Sequence, residues 1–175
     1  ENGDGEDGDG EDGEGREAIE RAALLDLFHA TAGPKWTRRA NWGTSKPLHR
    51  WEGVTVDRGR VVRLSLPRNN LSGAAPHSLY YLTALRELDL RHNALHSIDT
   101  LGHMRRLSHV HLQHNRLTHL PPLGSLAHLT VLDLRCNLLT ALPGVGGRIR
   151  YLGLRGNKIE GEGLQRALPW CKIEQ

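Results

Sequence analysis

Five times along the chain the same eleven-residue frame returns, L-x-x-L-x-L-x-x-N-x-L with Val or Ile in some of the Leu places. It reads VVRLSLPRNNL from Val61, LRELDLRHNAL from Leu85, LSHVHLQHNRL from Leu107, LTVLDLRCNLL from Leu129 and IRYLGLRGNKI from Ile149, a period of 24, 22, 22 and then 20 residues. Positions 4 and 6 of the frame (Leu64/Leu66, Leu88/Leu90, Val110/Leu112, Leu132/Leu134, Leu152/Leu154) alternate with polar residues, the pattern of a short strand with one face buried. One such strand cannot bury its own apolar face, so the units must stack and share a continuous core. The repeated asparagines, Asn69, Asn93, Asn115, Asn137 and Asn157, fall where the chain leaves each strand. An amide has both donor and acceptor, so these side chains are expected to satisfy buried backbone groups, a structural role.

A period of this length with this pattern is the signature of a leucine-rich-repeat solenoid. The expected fold is therefore α/β: five repeats spanning 61–160, short parallel strands on the concave face, a helical N-terminal cap over 16–60 and a C-terminal cap over 161–175. In the first cap, REAIERAALLDLFHAT places Ile19, Ala23, Leu27 and Phe28 at helical spacing, with Glu17 and Glu20 early and Gly33-Pro34 as the stop. Trp36, Trp42 and Trp51 are suited to sealing the open end of the stack. In the second cap, Gly163 to Leu168 suits a short helix and Trp170 a cover for the core, so both ends read as closed and the domain as complete.

The run ALLDLFHATAGPKWTRRANW, then HRWEGVTVD, then LPRNNLSGAAPHSLYYLTALRELDL resembles the amino-terminal cap and first repeat of plant-type leucine-rich-repeat proteins, a pattern shared by algal, other protist and bacterial members. Secreted plant members bracket the W-x-G-V motif with two cysteines, where this chain has His49 and Val56. The later, shorter repeats, with HSIDTLGHMRRL and THLPPLGSLAHL, resemble those of intracellular adaptors and phosphatase regulators. The resemblance implies an adaptor, scaffold or receptor-like recognition module.

Charge is unevenly placed. Residues 1–14 hold eight of the 20 acids and no base, leaving 23 Lys and Arg against 12 acids in the rest, or +11. The Gly-rich acidic tail, residues 1–15, has nothing to bury and is expected to be disordered. Its spacing does not fit a calcium loop. The two cysteines, Cys136 and Cys171, are expected to lie too far apart for a disulfide, which suits an intracellular, cytoplasmic setting. No run approaches the ~18 apolar residues of a membrane span.

Function must come from the outward positions 3, 5, 7 and 8 of each frame. Strands lie about 4.8 Å apart, so equivalent positions form columns. Position 7 gives Arg91, Gln113, Arg135 and Arg155, a basic track suited to carboxylates of an acidic protein segment. Position 5 gives Asp89, His111 and Asp133, where two carboxylates would raise the pKa of His111 and make binding pH-dependent. With His114 and Tyr151, these are the expected contacts of a protein partner.

A nucleic-acid partner through the same track is the less favoured reading, since Tyr151 alone offers a stacking surface there. A structural subunit of a large assembly is another. His109 and His111 stand about 6.8 Å apart along a strand, too open for zinc without convergence, so no metal or other cofactor is expected. No G-x-S-x-G, P-loop, dinucleotide-binding or H-E-x-x-H motif occurs, so no catalysis is expected either.

Overall fold

The structure is a computed structural model and describes residues 9–146, 148–159 and 172–174. Among the described residues one α-helix, α1 (Asp9–Ala30), precedes nine short strands: β1 (Val54–Asp57), β2 (Arg60–Ser65), β3 (Ser72–Ala74), β4 (Glu87–Asp89), β5 (Ala94–Ser97), β6 (His109–His111), β7 (Val131–Asp133), β8 (Tyr151–Gly153) and β9 (Lys172–Glu174). The main sheet runs β1-β2-β4-β6-β7-β8-β9, parallel throughout except for the antiparallel β1/β2 hairpin.

Register follows the repeat frame. Leu64, Leu88, Val110, Leu132 and Leu152 are partners across successive strands, and all five are fully buried. Each such side chain contributes on the order of 2 kcal/mol of burial, available only because a neighbouring coil covers it. Behind this row Leu66, Leu90, Leu112, Leu134 and Leu154 form a second buried row. The chain returns through 3-10 turns at His77–Tyr81 and Leu101–His103, and β3 pairs with β5 in a small second sheet confined to the first two repeats.

The asparagine ladder is as the frame implies. Asn115 Nδ2 donates to Leu90 O (2.9 Å) and Leu112 O (3.0 Å), while its Oδ1 accepts from Leu95 N (3.1 Å). Asn93, Asn137 and Asn157 repeat this arrangement, each joining its own coil to the preceding one. Asn69 has no preceding repeat and binds the cap instead, at Arg38 N and Arg38 O.

In the cap, Trp36, Trp42 and Trp51 are buried with their indole N–H groups bonded to Thr31 O, Glu52 O and Lys46 O. Phe28 stacks on this cluster. Two expectations need correction. The helix begins at Asp9, not Arg16, so the part of the expected disordered tail from Asp9 to Gly15 is helical; acids in a first turn are favoured by the helix dipole. Residues 1–8 lie outside the described residues. Of the expected apolar face of α1, Ala23 and Leu27 are buried and Phe28 packs against the core, but Ile19 is not part of it. Ile19 is 49% exposed, whereas Glu20 is 1% exposed, receiving Val61 N at 2.8 Å and Arg60 Nε at 2.9 Å. A paired, hydrogen-bonded carboxylate can be buried, and here it ties the cap helix to β2.

Beyond β8 the sheet gains β9, parallel to it, within the stretch expected to cap the C-terminus. The expected helix at 163–168, Trp170 and Cys171 lie outside the described residues. Among the described residues no helix is long and apolar enough to cross a membrane.

Candidate functional groove on the concave edge

Immediately after each strand, position 8 of the frame adopts a left-handed backbone: φ is 52° at Arg68, 56° at His92, 58° at His114, 55° at Cys136 and 76° at Gly156. Four of the five are not glycine, an uncommon choice for this conformation. A hydrogen-bond ladder holds it. Arg68 N donates to Arg91 O, His92 N to Gln113 O, His114 N to Arg135 O and Cys136 N to Arg155 O, at 2.8 to 3.0 Å. The side chains of positions 7 and 8 are thus fixed in two columns along one edge of the concave face.

Between them run two contiguous cavities of about 480 and 470 Å³. The first is lined by Arg38, Pro67, Arg68, Arg91, His92 and Gln113, the second by His92, Gln113, His114, Arg135, Cys136, Arg155 and Gly156. They share His92 and Gln113. Gln113 is more than nine-tenths buried, and its Oε1 has no hydrogen-bond partner. The His92 and His114 rings stack with centroids 4.2 Å apart and planes within 9°. Arg68 Nη2 lies 3.3 Å from His92 Nε2. Burial, then the charges of Arg68, His114 and Arg91, hold the His92 pKa below its ordinary value, with Asp89 opposing them.

The structure therefore brings together Arg91, Gln113, His114, Arg135 and Arg155 from the expected set, and adds Arg38, Arg68 and His92. It does not bring His111 or Tyr151 into either cavity. Asp89 and Asp133, expected to face outward, are 8% and 2% exposed. Each turns to the arginine two residues on, with Asp133 Oδ2 2.6 Å from Arg135 Nη2 and Asp89 Oδ2 3.5 Å from Arg91 Nε, and each accepts that arginine's backbone N–H. His111 is their register partner at the Cα level, yet neither carboxylate hydrogen-bonds to it. Arginine offers a planar pair of donors and wins the contest for each acid. At position 5 of the last repeat stands Gly153, and a Cβ there would lie 2.7 Å from Asp133 Oδ1 and 3.0 Å from the Tyr151 hydroxyl. The Tyr151 hydroxyl thus lies against Gly153.

Two sequence signals could have found the missed residues. Arg68 and His92 share position 8 with His114, and Arg38 follows the cap's KW pair, but only the fold shows that Asn69 clamps Arg38 to the first coil. Cys136 follows β7 in the left-handed column and is exposed.

Comparison with known proteins yields a consistent set. The description "Leucine rich repeat" matches residues 59–117, and "Leucine Rich repeats (2 copies)" matches residues 105–146. A probable inactive receptor kinase of Arabidopsis thaliana, RLK902, is 40% identical over 81 residues, which is 45% of this chain and 12% of that protein. One chain of the Arabidopsis thaliana BIR3–SERK2 complex superposes with a TM-score of 0.64 at 25% identity, covering 79% of this chain and 82% of that one. The Arabidopsis receptor kinase HAESA, solved with the peptide hormone IDA and the co-receptor SERK1, gives a TM-score of 0.67 at 25% identity, over 81% of this chain and 25% of that one.

Proposed function

We propose, taking as premise that this chain is a leucine-rich-repeat protein with plant-type relationships and a protein-interaction module, that its concave edge binds an acidic segment of a partner protein. The observation that carries this reading is the set of five arginines lining the two joined cavities, Arg38, Arg68 and Arg91 on one side of Gln113 and His114, Arg135 and Arg155 on the other. Guanidinium groups present paired donors that match carboxylates, and an extended chain laid across successive coils would meet one such group in the cap and in four of the five repeats, with Gln113 and His114 at the third. Arg91 and Arg135, paired with Asp89 and Asp133, set register, while Arg68 and Arg155 supply charge. Complexes of similar proteins support the reading, since HAESA was solved with a peptide hormone and BIR3 with SERK2.

The test is a pull-down with the full chain from lysate of the cells that make it, with and without nuclease and across a salt series. A protein that survives nuclease and is released as salt rises supports the proposal. Capture that disappears with nuclease overturns it in favour of nucleic acid, whose affinity falls steeply with salt.

A further inference from the structure

We infer that the stacked His92–His114 pair makes this groove a proton-linked anion site: a proton is taken up on an imidazole when the carboxylates of an acidic segment enter between Arg68 and Arg155. The inference rests on the acidic-segment reading above and adds its regulation.

The contact between Arg68 and His92 suits a neutral ring. Arginine only donates hydrogen bonds and stays charged, so the Arg68 Nη2 contact at 3.3 Å requires a lone pair on His92 Nε2. The ring of His92 is then neutral, with its proton on Nδ1. Its surroundings keep it so. Facing it are Arg68 from the preceding repeat, His114 from the next and Arg91 from its own, with Arg38 and Arg135 lining the same two cavities. Among the described residues the acid that acts on it, Asp89, is buried and paired with Arg91. The backbone N–H ladder fixes the Cα positions from which the two rings project.

Incoming carboxylates change this balance. They draw the Arg68 guanidinium to themselves, free Nε2, and offer an acceptor for the N–H formed when Nε2 takes a proton from solvent. The sign follows. A pKa held low in the free protein and raised by the ligand gives tightest binding below the free value, with affinity lost as pH rises through the bound value. Each unit by which binding raises the pKa is about a tenfold change in affinity across that window.

The experiment is titration calorimetry of the full chain with a hexa-aspartate peptide, whose carboxylates stay ionised from pH 5.5 to 8. Runs at pH 6.5 in two buffers of different ionisation enthalpy count the protons taken up, and NMR follows the His92 ring with and without peptide. Expected are net uptake of up to about one proton, dissociation constants about tenfold lower at pH 5.5 than at pH 8, and a His92 that titrates below about 6.5 alone and higher with peptide. A His92→Asn, His114→Asn variant, chosen because Asn tolerates the left-handed backbone, should lose most of the pH dependence.

Binding with no buffer dependence, an unchanged pH slope in the variant, or a free His92 titrating above the ordinary value overturns the proton linkage while leaving the acidic-segment reading intact. Absence of peptide binding at every pH overturns both.

Discussion

Arg135 closes on Asp133, two residues behind it, with Nη2 2.6 Å from Oδ2 and Nε 2.9 Å from Oδ1. The acid is buried and the arginine side chain 38% exposed, so the arginine both satisfies a buried charge and lines the groove. Removing it as Arg135→Ala leaves that charge unpaired and should cost about 2 kcal/mol, below the full value for a buried pair because the arginine side chain is partly in solvent. Arg91→Ala should cost less, since Arg91 meets Asp89 at 3.5 Å. Urea midpoints of the two variants check the order. In a double-mutant cycle, Asp133→Ala with Arg135→Ala should cost about 1 kcal/mol less than the sum of the singles.

Asn137 is 3% exposed and holds Leu112 O, Leu134 O and Leu117 N. Asn137→Ala strands all three backbone groups and is expected to lower stability by about 3 kcal/mol. The corresponding change at the half-buried Asn157 should cost less, because solvent can replace part of what is lost. Urea unfolding of both variants is the comparison.

The hairpin that starts the sheet depends on Gly53. Its φ is +80°, and a Cβ there would stand 2.3 Å from Ser65 O. Gly53→Ala therefore meets both backbone strain and a backbone atom that cannot move without breaking the Ser65 N to Gly53 O bond. A loss of about 3 kcal/mol or more is expected. Gly43 has φ +76° with nothing near the same position, so Gly43→Ala should show the strain alone, about 1 kcal/mol. Thermal unfolding of the pair separates the two effects.

Much of the fold was legible because its determinants are periodic. The Leu64 to Leu152 row and the asparagine ladder each follow from one residue type recurring at one frame position, and stacking leaves one register for them. Glu20 was misread because an acid early in a helix looks like a dipole-favouring surface residue; its partner, Val61 N, is 41 residues away. The position-7 arginines were legible as a column for the same periodic reason. The Asp89 and Asp133 column was read outward, since alternation places position 5 on the concave face. What alternation does not carry is the competition between His111 in the next coil and an arginine two residues along, which the nearer guanidinium wins. The His92–His114 stack needed the left-handed backbone at position 8, a tertiary hydrogen-bond ladder with no local sequence signal.

The central claim is that the partner lies in the arginine groove. Its most direct test is the affinity of the captured partner for an Arg68→Glu, Arg155→Glu variant, which spares Arg91 and Arg135 and so leaves Asp89 and Asp133 paired. Arg105→Glu, Arg106→Glu, two exposed changes on the segment leading into β6, serves as the control of equal charge. Groove reversal is expected to weaken binding by tenfold or more, about 1.4 kcal/mol, with the control near wild type. Equal affinity for wild type and groove variant, or an equal loss in both variants, would contradict the account.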